Sequence, residues 1–217
     1  MKDFRDFKER VGHYLQAHSR QVVSNVLSRP NSFPALWHPY GFAVFRLKEE
    51  TDLGHVRLHI WPEGRRRAIP GHPPIHCHDW DLGSIVLGGI YKETLYDVKI
   101  VKSDFSHYLI EVVPTIPSID GFRGTELRTA VSEKTTNSYE PGEMHFIRSG
   151  AFHATNVPLH QFAATLAVTG NAFTRRAILS PLPEIKYRYE RPKLTADDRL
   201  NVLSQLALFH DADIDPK

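Results

Sequence analysis

The sequence predicts an all-β barrel with a helix at each end. Three observations carry this. Apolar residues recur with a helical period at the N-terminus, and a second such stripe lies near the C-terminus. Between them the chain breaks into many short β-like runs separated by Gly, Pro, Asn and Asp. Short strands at this spacing suit a sandwich or closed barrel rather than a parallel α/β sheet. A length of 217 residues suits one domain with a substantial core. The boundaries read as an N-terminal helix within 1–30, a barrel over 40–190 and a C-terminal helix over 195–210.

The first helix is read over 1–27. Phe4, Phe7, Val11, Leu15, Val22 and Val26 recur at spacings of three, four and seven, with one gap around Ala17–His18. Arg29-Pro30-Asn31 ends the pattern. The β-like runs are Gly41–Leu47, His55–Trp61, Gly83–Leu87, Ile90–Tyr96, Tyr108–Val112, Leu127–Val131, Met144–Ile147 and Gln161–Val168. The segment 99–140, with Pro114, Pro117, Gly121 and Gly124 among polar residues, reads as a long excursion carrying one or two hairpins. Thr195 is a plausible N-cap for the last helix, with Asp198 three residues on and Leu200, Leu203 and Leu206 as its stripe.

Bulk properties exclude several classes. A net charge of +2 gives no reason to invoke nucleic acid or an acidic membrane surface. The single cysteine, Cys77, rules out an intrachain disulfide framework and suits a reducing cytoplasm. The N-terminus mixes charges of both signs and has no apolar core, so it does not read as a signal peptide. Histidine is the outlier at 13 residues, which invites a search for a metal site.

The informative stretch is Pro74-Ile75-His76-Cys77-His78-Asp79-Trp80-Asp81. On a strand, His76 and His78 project to one side, about 7 Å apart along the chain, while Cys77 points the other way. After it come the apolar Ile85-Val86-Leu87 and Gly88-Gly89. Far downstream lies Gly142-Glu143-Met144-His145-Phe146-Ile147-Arg148-Ser149-Gly150-Ala151-Phe152-His153-Ala154-Thr155-Asn156.

Together the two blocks resemble the paired motifs of the cupin superfamily. His76, His78 and Gly89 match the first motif; Gly142, Gly150 and His153 match the second with the family's spacing. The resemblance implies a double-stranded β-helix (jelly-roll) barrel holding a divalent metal on His76, His78 and His153. There are departures. Arg148 stands where the family has proline, and Asn156 comes one residue early. The acidic ligand position falls on Leu82 or Gly83. That leaves a three-histidine site unless Asp79 or Asp81 moves in. With a third histidine replacing the carboxylate of a facial triad, the ion keeps its full charge and has three open positions.

Three-histidine cupins bring to mind the thiol dioxygenases, and the resemblance to the cysteine dioxygenase branch spans about 42–170. Val56–Trp61 with Pro62-Glu63-Gly64 resembles the strand and turn before that family's H-x-H, and Gly89–Leu95 the strand after it. Arg46 falls near the family's carboxylate-binding arginine. Against this, the family's Ser-x-His-x-Tyr run would fall on Thr165, Ala167 and Thr169, so its His and Tyr are missing.

The resemblance implies a mononuclear non-haem iron oxygenase acting on a small organic substrate with dioxygen. Fe(II) is the expected ion, with Zn, Ni or Mn as substitutes. Arg46 would bind a substrate carboxylate, and Asp81 would act at the site by orienting a ligand imidazole or else be a solvated turn carboxylate. The alternatives are a non-oxidative metal-dependent isomerase or lyase, or a non-catalytic small-ligand-binding barrel. No nucleic-acid or membrane partner is expected, and a homodimer is the default by analogy.

Other residues divide between site and scaffold. His145 is read as an outer-face histidine in preference to a pocket residue or replacement ligand. Arg65-Arg66-Arg67 reads as a solvated loop. On His55–Trp61, the polar face (His55, Arg57, His59, Trp61) and the aliphatic face (Val56, Leu58, Ile60) compete for the interior, and the sequence does not decide between them.

Overall fold

The computed structural model describes residues 3–47, 53–116, 119–172 and 175–212. Residues 1–2 of the N-terminal helical reading and Pro117 lie outside these. The first helix, α1 (Phe4–Ser28), is capped by Asp3, whose Oδ1 accepts from the Asp6 N–H at 2.8 Å. Its buried stripe runs Phe7, Val11, Leu15, Ser19, Val22 and Val26. The gap in the apolar pattern is thus bridged by a buried serine, which a hydrophobic pattern does not register.

The strands are, in chain order, β1 (Ala35–Trp37), β2 (Tyr40–Gly41), β3 (Ala43–Arg46), β4 (His55–Trp61), β5 (Arg67–Ala68), β6 (His76–Cys77), β7 (Trp80–Gly89), β8 (Tyr91–Val101), β9 (His107–Ile116), β10 (Ile119–Tyr139), β11 (Met144–Ile147), β12 (Phe152–Asn156), β13 (Ala163–Ala172), β14 (Ala177–Ser180) and β15 (Tyr189–Glu190). They form two large antiparallel sheets, ordered β1-β3-β4-β13-β7-β11 and β15-β10-β8-β12-β6-β14-β9, with β2 and β5 paired separately. An additional β9–β10 pairing closes the second sheet on itself. This is the all-β jelly-roll barrel with flanking helices that the sequence predicts.

The segment 99–140 is not a loose excursion. One half of β10 pairs with β9 and the other with β8, with Thr129 paired to both Ile100 and His107. The two-sided polarity of this ribbon, largely exposed over 123–138, removes the alternation by which a strand is recognised.

The helices decide which face of the first sheet points inward. Val56, Leu58 and Ile60 on β4 and Ala164, Leu166 and Val168 on β13 share one core with Phe7, Val11 and Leu15 of α1. The same core takes Val202, Leu203 and Leu206 from α2 (Ala196–Ala212). Gly83 lets α1 approach closely: a Cβ there would lie 2.7 Å from Val11 Cγ1. With the aliphatic face committed to the helices, Arg57, His59 and Trp61 face the interior and line its cavity.

The second helix starts as the sequence predicts. The Asp198 N–H donates to Thr195 Oγ1 and the Thr195 N–H to Asp198 Oδ2, both at 3.1 Å, a reciprocal capping box. The buried Asp198 carboxylate also accepts from Trp37 Nε1 at 3.1 Å and pairs with Arg65 at 2.9 Å. Arg66 donates to the carbonyls of Pro62, Pro158 and Gln161. The arginine run therefore clamps loops and helix together, and reading it as a solvated loop misses this.

Candidate metal centre

Two strands, β6 and β12, deliver the three histidines. His76 on β6 is the direct cross-strand partner of His153 on β12, and His78 follows two residues after His76, just beyond the strand. Their candidate ligand atoms lie within 4.8 Å of one another. The ring centroids are 4.9 Å apart for His76–His78, 4.3 Å for His76–His153 and 4.8 Å for His78–His153.

The ring nitrogens are sorted by their partners. His76 Nδ1 sits 2.9 Å from the Pro74 carbonyl, and His153 Nδ1 sits 3.1 Å from the Ala151 carbonyl. A carbonyl only accepts, so each Nδ1 carries the proton and each Nε2 keeps its lone pair. Burial holds all three imidazoles in the neutral form: His76 falls to about 4, and His78 and His153 fall well below the usual histidine range, lowered further by neighbouring histidines. Three neutral imidazoles, two of them with the second nitrogen tied to a backbone carbonyl, are a donor set that suits a divalent metal.

No carboxylate joins the three among the described residues. Leu82 lines the cavity at the position expected to be acidic. Asp79 pairs with Arg176 at 2.8 Å. Asp81 is buried and accepts from the Ser149 N–H at 2.8 Å, bracing the turn that leads into His153 and standing apart from the residues that line the cavity. Cys77 Sγ reaches the Arg175 carbonyl at 3.7 Å, and burial pushes its thiol up to about 11, so it is neutral and outside the histidine group.

The three histidines open onto a cavity of about 120 Å³ between the sheets, which has room for a small molecule. Aromatic rings form one wall: Phe42 lies 4.4 Å from Trp61, and Tyr40 lies 4.7 Å from His76. Trp80 stacks on His78 at 5.2 Å. Arg46 lines the cavity as an exposed side chain. So do Arg57, Arg176, Arg191 and Asp120, which the sequence reading did not assign to a site. The alternation along β4 was the available signal for Arg57; Arg176, Arg191 and Asp120 come from segments whose return to the barrel only the topology shows. On β13, Thr165, Ala167 and Thr169 form one row of the sheet, opposite His59, Arg57 and His55 respectively; Thr169 also lines the cavity.

His145 is inside the barrel, not on its outer face. It is 3% exposed, stacked on Tyr91 at 4.5 Å, with Nε2 4.0 Å from Glu93 Oε2. The Tyr91 hydroxyl donates to Glu93 at 2.6 Å and lies 2.9 Å from Thr155 Oγ1. Burial raises Glu93 to about 7 and lowers His145 to about 3, so His145 is neutral and their contact is not an ion pair.

No family model matches the chain, and no curated protein matches it in sequence. Solved structures that resemble it include the Drosophila melanogaster CENP-C cupin domain, 9% identical over 63% of this chain and 75% of that one, with a TM-score of 0.32. A structure of DMSP lyases is 15% identical over 60% of this chain and 48% of that one, with a TM-score of 0.33. An oxalate decarboxylase variant from Bacillus subtilis is 12% identical over 64% of this chain and 28% of that one, with a TM-score of 0.32. The chain thus spans about half of the lyase chain and about a quarter of the decarboxylase chain. No helix among the described residues is long and apolar enough to cross a membrane.

Proposed function

We propose that the protein is a mononuclear metal-dependent enzyme for a small organic substrate, and that with Fe(II) it is an oxygenase using dioxygen. The observation that carries this is the convergence of His76, His78 and His153, all neutral and with the nitrogens of His76 and His153 oriented by backbone carbonyls, in the wall of a cavity of small-molecule size. These three residues would hold the ion, which keeps its full charge because no carboxylate accompanies them. When bound, the ion would supply adjacent open positions for substrate and dioxygen, together with a path for electrons.

The chain's own groups bind, orient and exclude water. Arg46 meets a substrate carboxylate with a forked pair of donors. The aromatic wall of Tyr40, Phe42 and Trp61 takes apolar substrate surface and keeps the site dry. Asp81 acts as a positioning residue: its bond to Ser149 fixes the turn that sets His153.

The test is elemental analysis of protein purified without added metal, paired with oxygen uptake on a panel of small acids and thiols. About one iron per chain, with uptake lost in His76→Ala, supports the oxygenase. Turnover without oxygen on bound zinc or nickel replaces it with an isomerase or lyase. A metal-free barrel holding a small ligand replaces it with a binding protein.

A further inference from the structure

The cavity carries a charge imbalance that identifies the class of its ligand. The inference rests on the reading above for the location of the substrate site, not for the metal. Arg46 on β3 and Arg57 on β4 are direct cross-strand partners, and both line the cavity. Like charges placed directly opposite on neighbouring strands destabilise a sheet. Neither guanidinium has a carboxylate within ion-pair range among the described residues; Asp120 acts on Arg46 and Asp79 on Arg57 only from farther away.

The other two cavity guanidiniums are neutralised. Arg176 pairs with Asp79 at 2.8 Å, and Arg191 pairs with Asp120 at 2.6 Å. Of four cations, two are balanced and two are in excess. Arg57 instead lies over the Trp80 ring, 5.0 Å from its centre, on a ring that also receives Arg176 at 4.3 Å. A cation–π contact stabilises by about 0.5–2 kcal/mol and leaves the charge in place. Burial, followed by the charges of Arg191, Arg46 and Arg176, pushes the Arg57 guanidinium down to about 10. Folded proteins pair charges that are withdrawn from water, and for Arg57 no such partner is found among the described residues.

We infer that the cavity binds a small organic dianion, its negative charge held between Arg46 and Arg57 and its apolar part against Phe42 and Trp61. A dicarboxylate and a phosphate monoester share this chemistry. A cationic amine would be repelled, and a monoanion would leave one guanidinium unbalanced. A zwitterion such as free cysteine brings an ammonium whose natural acceptor, Asp120, is already engaged by Arg191 with two bonds, at 3.1 and 2.6 Å.

The experiment is calorimetric titration and thermal melting of the full chain, both chelator-treated and zinc-loaded. The probes are succinate and phenyl phosphate as dianions, and acetate, benzoate and cysteine as comparators. Each dianion is expected to raise the melting temperature in both metal states. At least one should bind about tenfold or more tightly than the monoanions, and the preferred one identifies the headgroup. Arg57→Met should weaken dianion binding about 10- to 100-fold, the loss of charged hydrogen bonds. It should also melt higher than the parent when no ligand is present, because the like-charge contact is gone. Arg57→Lys should keep part of the binding. Equal binding of mono- and dianions, or dianion binding unchanged in both Arg57→Met and Arg46→Met, overturns the inference. Dianion binding to the chelator-treated chain that is lost in these variants supports it even if no iron or oxygen uptake is found, so the two readings fail separately.

Discussion

His76 and His153 are mirror images of each other in their bonding: each sits opposite the other across a strand pair, and each turns Nδ1 to the carbonyl two residues before it, Pro74 in one case and Ala151 in the other. The backbone itself therefore selects the tautomer that leaves Nε2 available, before any ion arrives. Replacing either by Ala, or His78 by Ala, should remove most bound metal while leaving the far-ultraviolet β signal intact, because the core under α1 and α2 does not include these residues. Metal content by elemental analysis, with circular dichroism on the same samples, checks this.

Metal should in turn stabilise the fold. An ion present at about a hundred times its dissociation constant adds about 2.7 kcal/mol if it binds only the native state. Melting curves of chelator-treated and reloaded protein should separate accordingly. Coincident curves at saturating zinc would show that the three histidines do not act as one site.

Cys77→Ser should keep metal content and turnover near the parent's. Its thiol is neutral and directed to the Arg175 carbonyl, outside the histidine group. Loss of metal in a folded Cys77→Ser protein would mean that the ligand set is wrong.

Free cysteine should be a poor substrate. Thr165, Ala167 and Thr169 stand in a row at the positions where the resemblance to thiol dioxygenases would place Ser, His and Tyr, and the Ala167 methyl can neither donate nor accept a hydrogen bond. Sulfinate formation by the iron-loaded protein, measured against cysteine concentration, is the assay. Saturable turnover with kcat/KM of about 10⁴ M⁻¹s⁻¹ or more would restore that activity.

Stability should depend on pH through Glu93. Burial raises its folded value from 4.5 to about 7, so between these values the folded chain holds a proton that the unfolded chain releases. Stability is then lost as pH rises through that window, on the order of 3 kcal/mol in full. Glu93→Gln has no such proton, so its melting temperature relative to the parent's should climb from pH 4 to pH 8. A constant difference across that range would show that Glu93 is already ionised in the fold.

The parts of this architecture that were legible in the sequence are those where a side-chain period meets a single environment. α1 shows its stripe because one face packs on the sheet; His76 and His78 show their common side because a strand alternates. His153 was found through the spacing of Gly142 and Gly150. The direction of β4 was not legible, because polar and aliphatic faces alternate equally well whichever one is inside, and only the helices' need for an apolar partner breaks the tie. His145 was misjudged for a related reason: a buried histidine stacked on Tyr91 looks, one residue at a time, like any polar position on a strand. Arg176 and Arg191 reach the cavity through long-range topology, which local pattern does not encode.

The closure of the second sheet has a consequence for how the folded chain behaves in a crowded solution. β9 bonds to β14 on one side and to β10 on the other, so it offers no free rim, whereas residues 130–139 of β10 pair only with β8 among the described residues. The rims of the first sheet, β1 and β11, are only three and four residues long. The outer half of β10 keeps one long edge, and Glu133 and Lys134, both exposed there, supply charge of the kind that discourages addition of a foreign strand. The hazard of edge-to-edge pairing is thus confined by the connectivity to the exposed ribbon of β8 and β10, whose polar sequence is where substitution by apolar residues should promote aggregation.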